Sequence, residues 1–162
     1  MLHTSALTLF LDGAPLLTLP PLRVAPGEVL TLMGPSGCGK SSLLAALAGV
    51  LPPGGPIRLT GDILLGAHRL TPLPPQERGI GILFQDDLLF AHLTVAENLM
   101  FGMPAHLKGM AARQTRAREA LAEVGLKAQA DKLPGALSGG QKARVSLLRA
   151  LLAEPRALLL DE

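Results

Sequence analysis

Gly34-Pro35-Ser36-Gly37-Cys38-Gly39-Lys40-Ser41 has the residue types and spacing to hold a phosphate chain. Its glycines let the backbone wrap so that successive N–H groups point at one anion. Lys40 can reach terminal phosphates, and the Ser41 hydroxyl can hold Mg²⁺. Ser42 opens the helix that follows and belongs to the same set of phosphate contacts. Read blandly, the segment is a Gly-rich turn before a structural helix, with Cys38 filling a slot that takes a small residue. Cys38 is the only cysteine, so no intramolecular disulfide can form.

Such a loop needs a strand before it and a helix after it. Val29-Leu-Thr-Leu-Met33 is a short apolar run and predicts a buried parallel strand. Ser42-Leu-Leu-Ala-Ala-Leu-Ala-Gly49 is rich in helix formers and closes on glycine, so it predicts a helix. The helix N-terminus adds partial positive charge at the phosphates. Far downstream, Ala157-Leu-Leu-Leu-Asp161-Glu162 predicts a second buried parallel strand. Its carboxylates would emerge at the C-terminal edge, where open α/β sheets bind ligands. Asp161 would hold Mg²⁺, and Glu162 would orient and deprotonate an attacking water.

A third motif is Leu137-Ser138-Gly139-Gly140-Gln141, ahead of a helix over 142–152 with Val145, Leu148 and Leu152 on one stripe. Ser138 suits the N-cap, and Gln141 completes a capping box. Two glycines at a helix start also make a second place where Ser138, Gly139, Gly140 and Gln141 can meet phosphate.

The rest of the chain gives a coarse outline. Strands are expected over 6–11, 16–24 and 58–65, the second broken by Pro20-Pro21 and the third carrying a turn or a bulge at Gly61-Asp62. Helices are expected from Thr94, with Glu97 in a capping box, to Phe101, and over 111–124. The basic run over 108–118 reads as the solvated face of the latter. Of the residues 48% are hydrophobic but only four are aromatic, so the core must be built from Leu, Ala and Val. A net charge of +2 gives no polyanion footprint. No apolar run approaches the ~20 residues that cross a bilayer, and the N-terminus lacks the pattern of a signal peptide. A soluble chain is expected, with any membrane role coming through partners.

Together these motifs resemble the ATP-binding subunits of ABC transporters. Residues 34–41 look like their Walker A loop, 137–141 like their signature motif and 157–162 like their Walker B strand. Phe84-Gln85, after Gly79-Ile-Gly-Ile-Leu83, is similar to their Q-loop, and the segment over 89–99 looks like that of importer-type subunits. The resemblance implies an α/β P-loop NTPase core with a mainly parallel sheet, a small antiparallel β subdomain and a helical insertion. Residues 1–86 and 141–162 would form the ATP-binding core, and 87–140 the helical subdomain. Gln85 would sense Mg²⁺ and the attacking water and adjoin the membrane partner. In a head-to-tail homodimer, Ser138 and Gly140 of one subunit would contact the γ-phosphate held by the other's Lys40. Integral membrane permease subunits and a solute-binding protein are the implied partners, with the chain on the cytoplasmic face of the membrane. Alternatives are an exporter subunit and a soluble, non-transport ABC ATPase.

Two departures from the family pattern stand out. Its members stack an aromatic on adenine upstream of the phosphate loop, but this chain has no Tyr or Trp, and the ungapped count falls on Leu11. Either the adenine meets Leu11, or a one-residue shift brings Phe10 in. The resemblance also implies further strands and a switch histidine after Walker B, whereas His3, His68, His92 and His106 all precede it. The expectation is a piece of a longer subunit that binds ATP without hydrolysing it on its own.

Overall fold

Leu7 and Leu9 are almost fully buried while Thr8 between them and Phe10 after them are not, which is the period of a half-covered strand. That strand lies in the first of two units in the computed structural model, which describes residues 1–161: residues 1–82 with Asp161 form one unit, and residues 83–160 the other. Glu162, the expected base, lies outside the described residues.

The first unit opens with β1 (Leu2–Thr4), β2 (Leu7–Leu11), β3 (Ala14–Leu19) and β4 (Arg23–Val24). Then come α1 (Lys40–Ala48), β5 (Ile57–Thr60), β6 (Ile63–Leu65), β7 (His68–Arg69) and β8 (Ile80–Leu83). One sheet runs β4-β1-β6-β7 and another β3-β2-β5, with antiparallel pairing throughout. The expected strand over 16–24 divides at Pro20-Pro21 into β3 and β4, which join different sheets. Prolines lack the N–H that would continue a ladder. The strand expected over 58–65 likewise divides into β5 and β6. Gly61 makes that crossing at φ +104°, and a Cβ there would overlap the Ala6 carbonyl. The three-residue β1 and two-residue β7 are too short to carry a periodic signal.

The strand expected over 29–33 is not formed. No strand among the described residues pairs with this run, and Val29 and Met33 are 88% and 91% exposed. Apolar β-compatible residues make a parallel strand only when neighbours accept its hydrogen bonds and layers cover its faces. Neither is present here among the described residues.

The second unit holds α2 (Val95–Gly102), α3 (Met110–Glu123), α4 (Gly139–Leu152) and β9 (Ala157–Leu160). Its core is Leu-, Ala- and Val-rich, as the scarcity of aromatics requires: Val95 and Leu99 of α2, Ala117 and Leu121 of α3, and the Val145, Leu148 and Leu152 stripe of α4 pack together. Both expected capping boxes are formed. Thr94 Oγ1 accepts from the Glu97 amide while Glu97 Oε2 accepts from the Thr94 amide, and Ser138 and Gln141 repeat the arrangement.

One expectation in this unit needs correcting. Arg113 does not belong to a solvated face. It folds back and donates to the carbonyls of Met100 and Met103 at the C-terminal end of α2 and to those of Pro104 and Leu107 in the segment beyond it. Arg116 and Arg118 do lie outside, where they pair with Glu123 and Asp131.

Candidate functional site

Gly37 and Gly39 carry the 34–41 loop into α1 at φ +80° and +95°, a region open to glycine and unfavourable to residues with a Cβ. A Cβ on Gly39 would sit 3.1 Å from Leu16 and 3.5 Å from Leu9, so this glycine also lets the loop close onto β2 and β3. Gly34 is confined by the Cys38 thiol, 3.2 Å from where its Cβ would be. Pro35 and Ser36 form the exposed outer part of the loop. No described side chain caps α1, and its first turn, which includes Ser41 and Ser42, contains no acidic residue. That leaves amide donors and the positive end of the helix dipole available to an anion.

Lys40 Nζ donates to the Gly34 and Pro35 carbonyls, both at 2.9 Å, so the ammonium is held over its own loop. Ser41 Oγ donates to Asp161 Oδ1 at 2.9 Å across a sequence separation of 120 residues. A hydroxyl and a carboxylate meeting at the end of a phosphate-type loop, in the first turn of α1, form a hard oxygen pair. This suits Mg²⁺, which favours one or two protein oxygens beside phosphate and water.

Leu11 continues the face of β2 that carries Leu7 and Leu9, but it is 40% exposed at the strand's end. Leu9, two residues earlier on that face, is the residue that approaches Gly39. Phe10 shares the opposite face with Thr8. A register shift at Leu9/Phe10 places the irregularity in β3 and leaves β2 itself unshifted against β5.

In the second unit, Ser138, Gly139 and Gly140 stand exposed at the start of α4, with the Gln141 side chain engaged in the cap. A Cβ on Gly139 or Gly140 would meet nothing within 4 Å, and neither has positive φ. Gln85 is exposed on the loop after β8. This loop is closely anchored. Asn98, fully buried, accepts from the Phe90 amide and donates to the carbonyls of Phe90, Leu93 and Thr94. Phe90 packs edge-to-face on Phe101 at 4.7 Å between ring centres, and Phe101 and Leu88 are 68% and 56% exposed.

Sequence reasoning missed the arginines and Asn98. Arg78 is 8% exposed and donates to the Ala46 and Leu47 carbonyls at the end of α1, and to those of Thr71 and Leu73. Gly49 must lack a side chain because its Cβ would run into this guanidinium. Burial lowers the pKa of Arg78 and of Arg149. Glu97 is held below its usual range, first by the Thr94 amide and then by the Thr94 hydroxyl. Among these, only Glu97 carried a signal in sequence, through its spacing from Thr94.

Known proteins identify the fold and the family. The whole chain superposes on a solved ATP-binding cassette, MJ0796, described as a dimer in a post-hydrolysis state bound to ADP and Pi, with a TM-score of 0.81 and 28% identity, covering 74% of that chain. The fold is that of a P-loop NTPase. The family model described as "ABC transporter" matches residues 20–162, and the chain belongs to that family. It is 48% identical over its full length to an uncharacterized ABC transporter ATP-binding protein, YnjD of Escherichia coli K12, and spans 73% of it. Over 141 residues it is 45% identical to a putative 2-aminoethylphosphonate import ATP-binding protein, PhnT of Salmonella typhimurium, and spans 37% of its length. It is 43% identical over 141 residues to the Fe(3+) ions import ATP-binding protein FbpC of Rhizobium etli, spanning 38%. No helix among the described residues is long and apolar enough to cross a membrane.

Proposed function

We propose that this chain is the nucleotide-binding part of an importer's ATP-binding subunit. It binds Mg-ATP on residues 34–42, and within the intact subunit the nucleotide is hydrolysed in a head-to-tail pair with a second copy. Through that pair it drives a solute through separate membrane permease subunits from the cytoplasmic face. The observation that carries this reading is the bond between Ser41 and Asp161, which unites the two motifs whose chemistry complements a nucleotide. Residues 1–86 and 141–162 serve as the ATP-binding core and 87–140 as the helical subdomain.

The chain's own groups divide the work. Amides of residues 34–42 hold phosphate oxygens, and Lys40 exchanges the Gly34 and Pro35 carbonyls for the terminal phosphates. Ser41 and Asp161 would hold Mg²⁺, which would supply charge neutralisation at the phosphates. Gln85 senses Mg²⁺ and the attacking water, and Glu162 orients that water and accepts its proton. The exposed end of β2 at Leu11 gives adenine an apolar surface without stacking.

Pairing of two copies is supported by Gly139 and Gly140. Among the described residues nothing lies within 4 Å of where a Cβ on either would be, which leaves room for a second copy's phosphate to approach the backbone closely. A permease on the Gln85 side is supported by the exposed apolar pair Leu88 and Phe101. The names of PhnT and FbpC support import, and a solute-binding protein follows from that direction of transport.

Asp161→Asn in the intact subunit tests the carrying observation. ATP affinity measured by calorimetry with Mg²⁺ is expected to fall at least tenfold, about 1.4 kcal/mol, and to stop responding to Mg²⁺. Parent-like, Mg²⁺-responsive binding would overturn the assignment.

A further inference from the structure

Leu88, three residues beyond Gln85, has φ +45°. This left-handed conformation crowds a Cβ and is rarely adopted by leucine. Its side chain is more than half exposed, so burial does not hold the turn. The backbone is held instead. The Asp87 carbonyl accepts from Ser146 Oγ at 2.6 Å, and the Leu88 carbonyl accepts from Arg149 Nη1 at 3.0 Å. Both donors come from α4, three residues apart and therefore on one face.

Each donor is itself fixed. Ser146 is 2% exposed, and a buried hydroxyl in an otherwise apolar helix face is unfavourable unless it is bonded. The Arg149 guanidinium lies 5.6 Å over the Phe90 ring. Its stem runs against Gly102, where a Cβ would come within 3.0 Å of Arg149 Cγ. Phe90 is tied in turn to Asn98 at both its N–H and its carbonyl. The helix that supplies these donors is the one whose N-cap is Ser138.

We infer that Ser146 and Arg149 are positioning residues that pin the 87–88 turn to α4 and so fix where Gln85 stands relative to the 138–141 motif. The inference rests on the proposed role of Gln85. Its consequence is that α4 and the Gln85 loop move as one body: whatever engages Ser138, Gly139 and Gly140 at one end of the helix is transmitted to Gln85 through two carbonyls at the other. Ser146 contributes a bond that alanine cannot supply.

The test is a double-mutant cycle in the intact subunit with Ser146→Ala, Gln85→Ala and the pair. Gln85→Ala alone is expected to lower kcat on the order of tenfold or more. Ser146→Ala is expected to lower kcat roughly threefold or more with ATP affinity within about twofold of the parent. In the double variant the second change adds nothing, because its effect runs through Gln85. Amide hydrogen exchange over 88–90 should rise in Ser146→Ala without nucleotide present. Independent losses that multiply, or exchange unchanged in Ser146→Ala, overturn the inference while leaving the proposed function standing. Parent-like turnover in Gln85→Ala overturns the role of Gln85, and the inference with it.

Discussion

On the proposed function Lys40 is the residue on which nucleotide binding would most depend, and its present partners show why its removal is a clean experiment. Its ammonium rests on two exposed loop carbonyls that water can satisfy once the side chain is gone. Lys40→Ala therefore leaves the glycine-built loop intact and removes only the charge nearest the phosphates. Mg-ATP affinity is expected to weaken at least tenfold by calorimetry, about 1.4 kcal/mol or more, with little change in melting temperature. Glu162→Gln makes the complementary case. The amide cannot take a proton, so the intact subunit should bind ATP, turn it over very slowly and accumulate as an ATP-bound dimer on size exclusion. Turnover at the parent rate would remove Glu162 from the reaction. Arg78 belongs to stability instead. It satisfies four carbonyls, two of them at the end of α1. Arg78→Met should lower the free energy of unfolding by roughly 2–4 kcal/mol, since buried carbonyls lose a charged donor. Urea denaturation would measure it. No sequence pattern announces such a residue, because its partners at 46, 47, 71 and 73 are gathered by tertiary packing and have no fixed spacing from it.

Elements whose stabilisation is local were legible; those that depend on distant neighbours were not. α2 and α4 begin where Thr94 and Ser138 predict, because a capping box lies within four consecutive residues. Gly49 ends α1 through its own backbone, in the left-handed conformation. By contrast, the run over 29–33 has the composition of a strand but no described partner, and the 111–118 arginines face different surroundings according to where α2 ends. The candidate site divides the same way. The 34–42 loop and the 138–141 cap could be read from adjacent residues. The anchoring of the Gln85 loop by Asn98, Ser146 and Arg149 required the fold. Local stabilisation also sets a pH dependence. Glu97 is held as a carboxylate by the Thr94 amide and hydroxyl, so its pKa is lower folded than unfolded. The stability it contributes is fully present above the usual glutamate range and disappears as pH falls through the lowered folded value. Glu97→Gln still accepts the amide bond but does not titrate. The melting-temperature advantage of the parent over this variant should therefore shrink from about pH 6 to about pH 3. Thr94→Ala should cost about 1 kcal/mol at neutral pH. A gap between parent and Glu97→Gln that is constant with pH would count against the capping carboxylate.

At the scale of the whole molecule, the largest mismatch between chemistry and surroundings is at Val29, Leu30 and Met33. These three large apolar side chains are exposed within five residues, immediately before the phosphate loop. A soluble surface carries scattered apolar residues without consequence, but a consecutive run with free backbone donors and acceptors is a template for pairing with another chain. With these side chains exposed, residues 1–162 prepared alone are expected to self-associate through this run. Light scattering after size exclusion should give a mass that rises with concentration above that of the monomer. Val29→Lys with Met33→Lys places charge on the run without touching Lys40, Ser41 or Asp161, and should return the chain toward a monomer. The same pair of changes in the intact subunit discriminates further. If the run is covered there, the lysines destabilise it, because charge is forced into an apolar environment. If the run is exposed there as well, they are tolerated. A 1–162 preparation that stays monomeric at every concentration would show that these side chains find cover within the chain itself, and the exposed run would then be no adhesive surface.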